Sequence, residues 1–341
     1  MRFVLALLLA SGVSSLAQTS VMDLALPTDN DGLFRDDGPG FYQYVDRDYK
    51  GEKSTPWEGG RYGFVRDPVA TSIGIIYARF HEGIDIRALR RDAAGEPLDE
   101  VRAIARGTVV HTNLVPGYSN YGKYVVIEHL WDGSNYYSLY GHLGAISVKP
   151  GEHVEKREPI GVLGYTGKGL NQRRAHLHLE LNLMFSHRFE AWHDAFHKND
   201  PNHNGIYNGI NLAGLDIARL YLALRKNPDL TIPEFLRGEE TFYKVTVPKS
   251  RYFELPKLYP WMVTKSAGPD THSWEVSFDR TALPLKIEPS SKKVKEAELT
   301  YIKKSPVEYS YLTHGEIAGH SRNARLTESG RKLMRLLTYP D

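Results

Sequence analysis

The chain contains no cysteine. Disulfides, thiolate nucleophiles, cysteine-based zinc sites and a lipidated N-terminal Cys are therefore excluded, and any metal must be held by His, Asp or Glu. A charge excess of one sign is also missing. The 43 Lys+Arg and 41 Asp+Glu of the 341 residues leave a net +2, which argues against a dedicated nucleic-acid binder. A slight basic excess falls in residues 216–341 and reads as solvated surface. No apolar run approaches the ~20 residues that a membrane-spanning helix needs. The one concentrated apolar stretch opens the chain: Met1-Arg2, then FVLALLLA, then Ser15 and Ala17 as small residues at −3 and −1 of a cut after Ala17. That order of charge, apolar run and small-residue site predicts a signal peptide over residues 1–17. It places the mature chain outside the cytoplasm, periplasmic or extracellular, with no stable membrane insertion after cleavage.

What remains has ordinary globular composition, 41% apolar and 25% charged. Residues 18–60 are rich in Asp, Gly and Tyr and read as an extended lead-in, with one short strand at FYQYV. From 61 to 213 short β-branched runs recur between Gly, Pro and Asn: SIGIIYARF, VRAIARGTVVHTN, YGKYVVIEHL, NYYSLYGHL, PIGVLGYTG and AHLHLELNL. That rhythm predicts a mainly β domain built of antiparallel sheet. KPGEHVEKREPIG reads as two tight turns around a short strand. The segment 214–341 reads as an α+β extension. LDIARLYLALRKN has helical spacing with Leu215, Ala218 and Leu222 on one face and Leu220 and Leu224 nearby, TFYKVTV, SWEVSF and LTYIKK are strand-like, and TESGRKLMRLL reads as a closing helix capped by Thr327.

Chemistry concentrates in AHLHL, residues 175–179. On a strand, His176 and His178 share a face while Leu177 and Leu179 point to a core. Two imidazoles side by side suit a shared metal ion. Upstream stands His81-Glu82-Gly83-Ile84-Asp85. In a straight strand its His and Asp would lie ~13 Å apart, too far for one ion, but Gly83 permits a bend that folds them together. A third piece is Tyr140-Gly141-His142-Leu143, where Gly141 leaves room for close approach. Glu180, on the face of His178, fits either a hydrogen-bond partner for a ligand imidazole or a surface carboxylate. His129 reads as structural. Asp200-Pro-Asn-His-Asn-Gly205 looks like half a calcium loop but lacks the acid at its twelfth position, so a turn with Asx bonds is expected. Around LMFSHRFEAWHDAF a helix is expected, with Trp192 and Phe196 in packing and His193 and His197 as i,i+4 neighbours.

H-x-G-x-D, then Y-G-H-L, then H-L-H-L-E, the last preceded by GVLGYTGKG, resemble in order the lysostaphin-type (LytM-like) zinc metallopeptidases over residues 61–185. The framework VRAIARGTVV, YGKYVVIEH and VKPGEHVEKREPIGVLGYTG belongs to the same likeness. The resemblance implies a LytM-like (duplicated hybrid motif) β-sheet peptidase domain with a shallow groove. It implies Zn2+ held by His81, Asp85 and His178, with His142 and His176 as the catalytic histidines. It also implies an endopeptidase that cuts peptidoglycan stem peptides or cross-bridges with a zinc-activated water. The alternatives are a non-catalytic wall-binding or amidase-activating module, or a peptidase of the same fold acting on another protein. The absence of H-E-x-x-H rules out a helix-borne glutamate as base. Three departures bear on the groove and not on the metal centre: Lys123 stands where the family often has Asn, Arg174-Ala175 where it usually has Gly-Pro, and RRDAAGEPLDE lengthens the loop after Asp85.

Overall fold

A computed structural model describes residues 21–51 and 53–341. The expected signal peptide, residues 1–17, lies outside them. The architecture is mostly antiparallel β-sheet with few helices. The strands that build the site are β1 (Gly63–Thr71), β2 (Gly74–His81), β3 (Ile84–Arg87), β4 (Glu100–Arg102), β5 (Gly107–Asn113), β6 (Tyr124–Trp131), β7 (Ser134–Gly141), β8 (Ala145–Ile146), β9 (His153–Val154), β10 (Pro159–Val162), β11 (His176–Met184) and β12 (Leu212–Gly214). The main sheet runs β12-β11-β7-β6-β5-β9, with β3 pairing β11 off this path. A smaller sheet, β4-β10-β8, and the β1-β2 hairpin complete this part.

β11 is the hub. Leu177, Leu179, Leu181 and Leu183 are all fully buried on one face, which anchors the register by hydrophobic burial. The other face carries His176, His178, Glu180 and Asn182, also buried, and then Met184, which joins Tyr124, Val126, Tyr137, Leu139 and Leu212 in a second small core. Polar residues on a strand buried on both faces must find partners within the protein.

Beyond Gly214, the helix Ile217–Lys226 is followed by β13 (Tyr243–Pro248), β14 (Ser273–Phe278), β15 (Pro284–Ser290) and β16 (Glu298–Ile302), a sheet of order β15-β14-β13-β16. The closing helix, Glu328–Thr338, begins where Thr327 accepts a hydrogen bond from the Gly330 amide. One large apolar cluster runs through both parts: Val101, Leu179, Val245, Met262 and Leu337 all belong to it. Trp192 Nε1 donates to the Lys332 carbonyl at 3.0 Å, and Tyr259 Oη accepts from the Met184 amide at 2.7 Å.

Two local expectations are corrected. FYQYV does not form a strand. Residues Gly38–Phe41 make one helical turn and only Tyr42 bridges to Ile86, because Asp37 caps the turn through the Gly40 amide. In Ile217–Lys226 the buried face is Ile217, Ala218, Leu220 and Tyr221, and Leu222 is exposed. The Tyr221 ring, with Oη bonded to the Ala25 carbonyl, pulls that face round.

Glu316 yields a stability prediction. Burial, with only Ser329 Oγ bonded to its carboxylate, raises its pKa to about 7 from the usual 4.5. A carboxyl with a raised folded pKa binds more protons folded than unfolded, so stability falls as pH rises from about 4.5 to about 7. Glu316→Gln is expected to leave the melting temperature unchanged near pH 4 and to stabilise by about 3 kcal/mol at pH 8, at 1.36 kcal/mol per unit. Thermal melts of both proteins across that range check it.

Candidate metal centre

Strand pairing assembles the site. β11 places His178 opposite Asp85 of β3 on one side and opposite Gly141 of β7 on the other. Directly opposed residues share a face. Asp85 therefore lies beside His178, and His142 follows Gly141 with a left-handed φ of 62° that turns its ring back over β11. His81 ends β2, and a bend at Glu82-Gly83 returns the chain into β3. The bend brings His81 Nε2 to 3.0 Å from Asp85 Oδ1.

Gly83 does not act as expected. Its φ is not among the positive values; instead a Cβ there would sit 2.3 Å from the Leu179 carbonyl oxygen. The glycine is needed because the bend lies against β11.

His81 Nε2, His178 Nδ1 and Asp85 Oδ1 converge. The nitrogens are 3.1 Å apart and His178 Nδ1 is 3.0 Å from the carboxylate oxygen. Hydrogen bonds behind the rings decide which atoms carry protons. His81 Nδ1 donates to the Arg61 carbonyl at 2.7 Å, and His178 Nε2 donates to Glu180 Oε1 at 2.7 Å. The inward nitrogens are thus lone pairs, and three acceptors face one another. Only a cation makes that arrangement favourable, and His/Asp donors in a set of three suit a zinc ion with an open position. Burial would lower the His178 pKa, but hydrogen bonds to Asp85 and Glu180 push it up to about 10. Burial holds His81 at about 4, neutral at pH 7. Despite burial, the neighbouring His81, His176 and Arg66 hold Asp85 well below the usual carboxylate range.

The other two histidines flank this set. The His142 and His176 rings meet edge to face, centroids 4.7 Å apart, and His142 is 5.7 Å from His178. Each fixes its tautomer on a backbone carbonyl: His142 Nδ1 donates to Thr166 at 2.8 Å and His176 Nδ1 to Arg174 at 2.7 Å. The Nε2 atom of His176 lies 3.4 Å from Asp85 Oδ1. Burial, then the neighbouring His176 and His178, lower the His142 pKa well below its ordinary value.

All five histidine and aspartate positions singled out in the sequence come together, and Glu180 proves to be a buried partner of His178. His129 is structural: it bonds the Arg106 carbonyl and Ser138 Oγ and stacks on Trp131. Asn202 organises the 200–208 turn through Asx bonds. His193 and His197 stack on the helix Phe189–Phe196, centroids 4.9 Å apart; among the described residues the one grouping of three metal-capable side chains is His81, Asp85 and His178. Sequence reasoning missed Arg66 of β1, whose Nη2 bonds Asp85 Oδ2 at 2.5 Å.

Where family proteins usually have proline, Ala175 is buried with φ −56° and ψ 129°, an angle a proline ring would impose. The loop after Asp85 is tied down as well. Arg91 bonds the Gln172 carbonyl and Gln172 bonds Glu96 Oε1, so the loop braces the segment leading into His176.

A buried His-Asp-His donor set, served by two more histidines on an antiparallel sheet, is the plan of a β-sheet metallopeptidase domain. Residues 79–188 match Peptidase family M23, and the chain carries a domain of that family there. The peptidoglycan DD-endopeptidase ShyA of Vibrio cholerae is 43% identical over 75 residues, 22% of this chain and 15% of that protein. A lipoprotein NlpD/LppB homolog of Pseudomonas aeruginosa is 34% identical over 90 residues, 26% of this chain and 27% of that protein. The chain thus spans well under a third of the length of either curated relative. The catalytic domain of lysostaphin from Staphylococcus simulans is 26% identical, covering 38% of this chain and 86% of that one, with a TM-score of 0.24.

Proposed function

We propose that the chain is an exported zinc metalloendopeptidase that hydrolyses peptide bonds of peptidoglycan. The convergence of three proton-free acceptor atoms beside two further imidazoles is the observation that carries this. The match to a peptidoglycan DD-endopeptidase supports the substrate, and the leader-like residues 1–17 support export. Residues 61–213 form the peptidase portion in this reading, and 214–341 an extension packed on it. No helix among the described residues is long and apolar enough to cross a membrane.

His81, Asp85 and His178 would hold a zinc ion, which would supply Lewis acidity and a water of lowered pKa. Glu180 and the Arg61 carbonyl hold the two ligand rings in orientation. Between them, Nε2 of His142 and Nε2 of His176 take the proton of the attacking water and stabilise the oxyanion as the peptide carbonyl becomes tetrahedral. The proton then passes to the leaving amine, giving one new carboxylate and one new amine. Burial, with His176 and His178 beside it, favours the uncharged form of the His142 imidazole.

Mass spectrometry of fragments released from purified peptidoglycan and defined muropeptides tests the proposal. Fragments with new amine and carboxylate ends, lost on adding a chelator and restored by zinc, are expected. A protein that binds zinc yet releases nothing would instead be a non-catalytic wall-binding or amidase-activating module.

A further inference from the structure

We propose that Arg66, on the β1–β2 hairpin, is a positioning residue of the metal site: it occupies Asp85 Oδ2 so that Asp85 offers the metal Oδ1 alone. This rests on the metal-site reading above. The two carboxylate oxygens are divided. Oδ1 lies 3.0 Å from His81 Nε2 and 3.0 Å from His178 Nδ1, whereas Oδ2 takes Nη2 of Arg66. The guanidinium is anchored from behind, with Nε donating to the Gly59 carbonyl at 2.8 Å. Its side chain is only 20% exposed, and that of Asp85 4%.

A local irregularity aims Arg66. In a regular strand Phe64 and Arg66, two residues apart, would point the same way. Here Phe64 pairs with Phe80 but Arg66 pairs with Arg79, so a bulge lies between them. Phe80 and Arg79 are on opposite faces of β2; hence Phe64 and Arg66 are too. Phe64 packs on Phe80 and beneath Arg280, while Arg66 lands on the face of Arg79 and His81. Asp67 follows with a left-handed φ of 53°, a cost that a non-glycine residue accepts at a constrained place. Bulges next to sites characteristically re-aim a side chain.

The bond has a consequence for coordination. A carboxylate free at both oxygens can chelate a zinc ion and fill its open position. With Oδ2 committed to a bidentate-capable, always-charged group, Asp85 stays monodentate and its orientation is fixed. A cation this near a metal also opposes metal binding by simple repulsion. The proposal therefore requires that positioning outweigh repulsion.

The test uses the full chain. Zinc affinity is measured by competition with a chromophoric chelator, and cobalt(II) is substituted to read coordination from its visible bands. Arg66→Gln is expected to weaken zinc by about 10–100-fold, the usual range for losing a group that orients a ligand. Its cobalt form should show weaker bands, as Oδ2 joins the coordination sphere. Arg66→Lys, which keeps the charge without the Gly59-anchored fork, should fall between the two and decides the matter if Arg66→Gln does not fold. An unchanged dissociation constant and spectrum in the folded variants, or tighter zinc binding from relieved repulsion, overturns the proposal. If the wild-type chain binds no zinc, the metal-site reading fails and the proposal with it. If the wild type binds one zinc that His178→Ala loses, the reading stands and Arg66 is judged on its own.

Discussion

His176→Ala is expected to keep zinc within a few-fold of wild type and to lose about 10²–10⁴-fold in turnover, the usual contribution of one positioned acid or base. His178→Ala is expected to lose both. The two residues are neighbours on one face of β11, yet their surroundings differ. His178 Nδ1 stands 3.0–3.1 Å from both other donor atoms, and its Nε2 is the partner of Glu180. Removing it takes one of three ligands away and leaves Glu180, 1% exposed, without its imidazole. His176 spends Nδ1 on the Arg174 carbonyl and has its other nitrogen 3.4 Å from Asp85 Oδ1, beside the donor set and not within it. Calorimetric zinc titration of both variants, with fragment release from muropeptides in parallel, separates the roles. Equal zinc loss in the two would make His176 a ligand and leave His142 as the sole free histidine of the site.

The period of two in residues 176–184 made β11 and the division of its faces legible, because burial of four leucines ties register to sequence. Of the strands that pair with it, β7 is marked by the run NYYSLYGHL, whereas β3 and β12, four and three residues long, carry no pattern of their own. β1 was not legible. Its GFVRDPVAT holds Asp67 and Pro68 at mid-strand, and none of its residues is buried, so no hydrophobic alternation marks it. Arg66 was hidden further, since its direction depends on a bulge that exists only in the pairing with β2. The two readings open for Glu180 differed only in burial, a tertiary property. On the helix 217–226 the spacing marks Leu215, Ala218 and Leu220 correctly, but Leu222 is exposed and Tyr221 is buried in its stead, bonded to the Ala25 carbonyl almost two hundred residues away in sequence. Long-range partners of this kind leave no local pattern.

Gly83→Ala is expected to destabilise the fold by about 1–3 kcal/mol and to weaken zinc binding at the same time. Any glycine in H-x-G-x-D reads as a turn residue chosen for backbone freedom. The structure gives a different cause, because an added Cβ would meet the Leu179 carbonyl oxygen at 2.3 Å and Glu180 Cγ at 2.8 Å. Both obstacles are on β11, one of them backbone, so neither can swing aside as a flexible surface side chain would. On its other side the bend is held by β12, where a Cβ on Gly214 would meet the Glu82 carbonyl at 2.2 Å. The His81–Asp85 bend is therefore clamped between two strands, each making room for it. Alanine must lift the bend off β11, and the bend carries a donor at each end, so stability and metal affinity fall together. Gly117→Ala is the control: its added Cβ would meet nothing within 4 Å, and its melting temperature and zinc affinity should match wild type. If Gly83→Ala behaves like that control, close approach does not explain the glycine, and the joining of His81 to Asp85 needs another cause.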